Sequence, residues 1–416
     1  MASPPLILIL PFALLLLAMA LGPVLAPAGW QRCYPWVALG LALVTAAVYL
    51  LVRHDAASLG QAAHEYLSFI ALIGSLYIIA GGIRIEMPAG ATPGSNVLFL
   101  LAGALTANVI GTTGAALLLI RPWIQRNRGR LASYHIVFFI FLVGNVGGCL
   151  TPIGDPPLFL GFLQGIPFWW VAQKCWPMWA VAVGLLLGIF FVLDRLAYSR
   201  IPAANRPAGI GAWGMSGLTN ILFLAVVMGA LFVTRPFFLR ELLMGAAAAA
   251  AYFTTRKPIH AANEFDFHPL MELAILFAAI FVTMIPALAW LDQGAAHWVG
   301  SQPKPAFFFW GTGGLSAVLD NAPTYLGFLN TLFGLTGIRE MPLLLNQKAV
   351  EVAAISVGSV FFGAATYIGN GPNFMVKAIA AQSNAPMPSF LAFIGRFSLP
   401  FLLPVLLTIY VLFFWD

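Results

Sequence analysis

Apolar runs long enough to cross a bilayer recur along the whole chain, parted by short polar loops. They fall at residues 5–26, 34–52, 66–83, 133–166, 172–193, 217–234, 238–254, 270–291, 350–380 and 389–414. A helix needs about 20 mostly apolar residues to cross a hydrocarbon core of about 30 Å, so each run predicts one span. Two further segments, 95–120 and 305–333, differ from these. Their middles, Thr106 to Thr113 and Leu319 to Thr324, gather Gly, Thr, Asn, Asp and Pro between apolar flanks. That pattern predicts two half-helices meeting at a polar tip, a re-entrant hairpin. The first run, 5–26, lacks a basic leader and exceeds the apolar core of a secretion signal, so it reads as a span.

Three unusual features recur in one order at nearly one offset. Glu65 answers to Glu272 (207 residues apart), Asn108 to Asn321 (213), and Thr151-Pro-Ile-Gly-Asp-Pro-Pro157 to Thr366-Tyr-Ile-Gly-Asn-Gly-Pro372 (215). Each half then holds five spans and a hairpin, and an odd number of crossings turns the second copy upside down. The expected fold is an all-α polytopic membrane protein of two inverted repeats, 1–200 and 217–416, each with a broken helix, joined by a linker at 201–216.

Composition agrees with a lipid environment: of 416 residues 61% are hydrophobic and 8% charged, against about 25% charged in soluble domains. The net charge of +6 lies in short loops, so it reads as topology and not as a nucleic-acid surface. Arg121, Arg126, Arg128 and Arg130, then Arg195, Arg200 and Arg206, then Arg256 and Lys257 predict cytoplasmic loops, with both chain ends outside. Trp169, Trp170, Trp176 and Trp179 read as an aromatic belt. Cys33, Cys149 and Cys175 show no paired or metal-ligand spacing.

The run from Gly144 to Pro157 interrupts an apolar span with glycines and three prolines, and Gly363 to Asn373 does the same in the second half. Helix geometry cannot persist there, and the freed backbone groups need a cavity, water, an ion or side chains. Asp155 lies at the first break and Asp320 at the second hairpin tip. A carboxylate at mid-membrane costs at least about 2.5–3.5 kcal/mol and usually serves a function. With Asn108, Thr112, Thr151, Asn321, Thr324, Thr366, Asn370 and Asn373, these acids offer hard oxygen ligands to a small cation such as Na⁺ or Li⁺. The alternative for each acid is the cap of a half-helix. Out of water, a carboxylate needs a cation or a proton for company, so competition between the two is already a coupling mechanism. Glu65, Glu272 and Lys377 are further coupling candidates, balanced against interfacial positions, and His135 reads as a satisfied interfacial histidine. His64-Glu65-Tyr66-Leu67-Ser68 lacks the second histidine of a zinc-protease helix. Neither a cofactor nor an enzymatic nucleophile–base pair is indicated.

Gly147 to Pro157, the tips Ala107 to Thr113 and Leu319 to Thr324, and Gly369 to Asn373 resemble the ion transporter superfamily over nearly the whole chain. The resemblance is greatest to arsenite and sodium/proton antiporters, with citrate transporters nearby. It implies two hairpin tips and two broken helices around the substrate, a homodimer, and elevator-like movement. It assigns Asn108 and Thr112 to the first tip, Thr151 and Asp155 to the first break, Asp320 and Asn321 to the second tip, and Thr366, Asn370 and Asn373 to the second break. Dicarboxylate members carry Ser-Asn-Thr at both tips, whereas here Ala107-Asn108-Val109 and Asp320-Asn321-Ala322 stand there. The leading expectation is therefore a Na⁺/H⁺ antiporter of a bacterial inner membrane, the alternative a cation-coupled citrate or carboxylate transporter.

Overall fold

A computed structural model describes residues 4–88, 90–202, 213–233, 235–299 and 303–415; most of the expected linker, Arg206 included, lies outside the described residues. The first half contains α1 (Leu10–Leu25), α2 (Pro27–Ala47), α3 (Ala56–Gly81), α4 (Pro93–Arg126), α5 (Ser133–Leu142), α6 (Pro156–Leu163) and α7 (Trp170–Ser199). The second contains α8 (Thr219–Ala230), α9 (Leu239–Thr254), α10 (Lys257–Ala262), α11 (His268–Thr283), α12 (Ile285–Val299), α13 (Pro305–Ser316), α14 (Asn321–Thr336), α15 (Met341–Gln347), α16 (Ala349–Phe362), α17 (Gly371–Gln382), α18 (Phe390–Phe393) and α19 (Leu403–Phe413). A short antiparallel ribbon, Arg84–Glu86 with Gly214–Ser216, ties the end of α3 to the approach of α8.

The 34 residues of α4 would measure about 51 Å if straight. Its ends nevertheless meet: Asn96 Nδ2 donates to Asn127 Oδ1 at 2.7 Å, and the Phe99 and Trp123 rings stack at 5.2 Å. The helix therefore folds back on itself, as a hairpin does. The reversal occurs at Gly111 (φ 76°, ψ 156°), three residues beyond the expected tip at Asn108. A β-carbon at Gly111 would stand 3.1 Å from the Ile153 carbonyl, and positive φ is itself unfavourable for an L side chain. Gly111→Ala should lower stability by about 1–3 kcal/mol, visible as a reduced thermal midpoint in detergent. The second hairpin is made of α13 and α14, which pack Phe307 against Phe328 at 5.8 Å and turn at Ala317 to Asp320.

Between the hairpins run the two broken helices. Ile136 to Leu142 in α5 are entirely buried, and a helix apolar on all sides belongs at the centre of a bundle. After α5 the chain makes one 3₁₀ turn, Val146–Gly148, and resumes as α6. The same sequence of events follows α16: a 3₁₀ turn at Gly363–Ala365, then α17. Prolines within the first two positions open both α6 and α17, where a missing N–H does no harm.

Among the described residues, seven helices are long and apolar enough to cross a membrane, or eight when the pair α15 and α16, bent by 96°, counts as one. The chain is a multi-pass membrane protein. The ten expected spans are not all separate long helices, because breaks cut several into pieces of 8–14 residues. Two expected belt residues also turn inward: Trp170 is buried, and Trp179 Nε1 donates to the Gly147 carbonyl in the first break at 2.9 Å.

Candidate functional site

Asp155 precedes α6 in extended conformation, and its side chain caps nothing. Freed from the cap, the carboxylate points across the molecule. Oδ1 accepts from Thr112 Oγ1 at 2.7 Å and Asn370 Nδ2 at 2.9 Å, while Oδ2 accepts from Asn321 Nδ2 at 2.5 Å. Both hairpins and both breaks thus converge on one acid, which is 1% exposed. All three donors are neutral. Salt bridges among the described residues do not include Asp155, so its charge requires a transient cation or proton.

Asp320 behaves differently. It caps α14, accepting from Ala322 N at 3.0 Å, and its half-buried side chain faces a cavity. The capping alternative therefore describes Asp320 and not Asp155. Next to it, Asn321 is fully buried and its Oδ1 has no partner. No group of three or more His, Cys, Asp or Glu gathers as a metal site among the described residues. A cation at this centre would rely on amide, hydroxyl and carbonyl oxygens instead.

Several other predicted residues hold the backbone. Asn108 Nδ2 donates to the Ala104 and Gly147 carbonyls at 3.0 and 2.6 Å, and its Oδ1 accepts from Leu150 N at 2.8 Å. Asn108 staples the first hairpin to the first break, with its side-chain oxygen already engaged. Thr151 and Thr366 share one construction: each hydroxyl donates to the facing hairpin, to Asn108 O at 2.6 Å and Ala317 O at 2.7 Å. Each also accepts from the glycine three residues on, Gly154 N at 3.2 Å and Gly369 N at 3.1 Å. Asn373 Nδ2 donates to the Gly363 and Thr366 carbonyls at 2.8 and 2.9 Å.

Sequence reasoning passed over Asn145. Its Nδ2 donates to Asn373 Oδ1 at 2.6 Å and its Oδ1 accepts from Asn370 Nδ2 at 3.1 Å, linking the two breaks directly. The available signal was a lone amide between Gly144 and Val146 in an apolar run.

The coupling candidates separate. Glu65 is the tenth residue of α3 and Glu272 the fifth of α11, so they hold different helix positions despite their sequence spacing. Glu65 Oε1 accepts from Gln61 and Gln164 at 3.0 and 3.2 Å. Glu272 lines the cavity. Lys377 lies over the Tyr367 ring, with Nζ 4.1 Å from its centroid, a cation–π contact.

The cavity has a volume of about 420 Å³. Asp320, Asn370 and Gly371 line it, as do Glu272, His268, Asp266, Glu264 and Arg121. The profile of the family described as "Putative citrate transport" matches residues 1–414. The chain belongs to this citrate transport family. No curated relative matches. Four carboxylates of this family member, Glu264, Asp266, Glu272 and Asp320, share the cavity wall with one arginine, Arg121.

Proposed function

We propose that the chain is a cation-coupled secondary transporter of citrate or a related carboxylate, working by alternating access about the Asp155 centre. The family match over residues 1–414 carries this reading and favours it over the Na⁺/H⁺ antiport that the sequence put first. Charge supports it too. A free tricarboxylate entering a wall of four carboxylates and one arginine meets repulsion, whereas one accompanied by cations does not. Asp155, buried under three neutral donors, suits a coupling cation or proton, and the free Oδ1 of Asn321 completes an acceptor pair beside it.

In this reading the segments 1–200 and 217–416 are inverted repeats joined at 201–216, and the arginine-rich loops are cytoplasmic. An elevator-like homodimer in a bacterial inner membrane is the corresponding assembly. Reconstitution into liposomes with labelled citrate and a pH-sensitive dye tests the function. Citrate uptake driven by a cation or proton gradient is expected. Silence towards citrate, with Na⁺ or Li⁺ dissipating an imposed proton gradient, would reinstate the antiporter.

A further inference from the structure

The described residues lining the cavity include only one Lys or Arg, and it is already occupied. Arg121 Nη2 lies 2.9 Å from Glu264 Oε2, with side-chain exposures of 24% and 64%. Arg121 comes from the returning arm of the first hairpin, Glu264 from the loop between α10 and α11, so the pair joins two separate elements of the cavity lining. The glutamate is held there deliberately by the chain. Its φ of +47° is a left-handed conformation that non-glycine residues seldom adopt. The loop is fastened on both sides of it: Asn263 Nδ2 donates to the Gly81 and Ile83 carbonyls at 2.8 Å, and Tyr77 Oη donates to the Asp266 carbonyl at 2.7 Å. A strained residue that persists because its surroundings over-determine it points to a role.

We propose that Arg121 anchors a carboxylate of the substrate and that Glu264 is its built-in stand-in, displaced when substrate enters. The inference rests on the carboxylate reading above and names the recognising residue within it. Arginine binds carboxylates through paired N–H donors, and with substrate absent a bare guanidinium would draw stray anions into the cavity. Glu264 neutralises it. Being the more exposed partner, Glu264 swings to water at little cost, since exposed ion pairs are weak. The anchor and its stand-in are therefore matched groups, and substrate wins when the cations that accompany it offset the acidic wall.

Kinetics of labelled-citrate uptake in proteoliposomes separate the roles. Glu264→Gln, which removes the competitor, should lower KM about three-fold with maximal rate unchanged. Arg121→Gln should raise KM about ten-fold or more, and Arg121→Lys, keeping charge without the planar fork, should fall between. Thermal midpoints of all three variants near that of the wild type would exclude misfolding as the cause. A raised KM in Glu264→Gln, or KM values within about two-fold of wild type in both Arg121→Gln and Glu264→Gln, overturns the anchor while leaving the carboxylate reading intact. Wild-type protein that takes up no citrate overturns both.

Discussion

Asparagine at position 155 should reduce coupled uptake at least about a hundred-fold, some 2.7 kcal/mol at the usual 1.36 kcal/mol per decade, while leaving the protein folded. The substitution preserves shape, and one side-chain oxygen can still accept from Thr112 or Asn370. What it removes is the ability to bear a negative charge where nothing else in contact bears one. Alanine differs instructively. It leaves Thr112 Oγ1, Asn321 Nδ2 and Asn370 Nδ2 without their acceptor, and each buried donor left unsatisfied costs about 1–3 kcal/mol. Asp155→Ala should therefore melt early as well as fail to transport. Uptake assays paired with thermal unfolding in detergent distinguish the two effects. Substantial uptake by Asp155→Asn would remove the carboxylate from the coupling step.

The breaks and hairpins could be read from the sequence because glycine, proline and polar residues have local consequences inside an apolar run. Gly144 to Pro157 cannot be a helix whatever surrounds it. The roles of the polar residues were harder to read, since they depend on which distant carbonyl lies within reach. Asn108 and Asn321 occupy matching tips in the sequence, yet Asn108 is satisfied by the backbone of the first break while Asn321 reaches Asp155 and keeps a free oxygen. Asp155 and Asp320 looked equivalent too. A difference in side-chain direction, invisible in residue order, makes one a helix cap and the other the meeting point of four elements. Substrate preference was the least legible. Oxygen ligands at the centre suggested a small cation, and the acidic cavity wall with its one arginine arises from segments far apart in sequence, α4, α11 and the loops around them.

Asp194 shows the same limit at a structural site, and its loss should be the most damaging change to stability. In the sequence it falls just beyond the apolar run 172–193, with Arg130 counted among the topology-setting arginines. In the fold both are buried. Asp194 Oδ1 and Oδ2 accept from Arg130 Nη1 and Nη2 at 2.5 and 2.9 Å, from Tyr134 Oη at 2.7 Å and from Asn96 Nδ2 at 3.1 Å. His135 Nε2 lies 3.2 Å from the same carboxylate and its Nδ1 accepts from Ala132 N at 3.1 Å, so this histidine is a buried structural one. The cluster draws together both ends of the first hairpin, the start of α5 and the end of α7. Asp194→Ala strands the guanidinium, and removing one partner of a buried pair costs about 3–5 kcal/mol. We expect a thermal midpoint lowered by about 10 °C, with poor recovery from membranes. Arg130→Met combined with Asp194→Leu removes both charges and should regain part of that loss, since apolar residues of similar volume replace buried pairs with little penalty. A single Asp194→Ala variant melting within about 2 °C of wild type would deny the cluster its structural role. A double variant no better than the single one would instead assign the stabilisation to Tyr134 and Asn96, whose hydrogen bonds both variants lack.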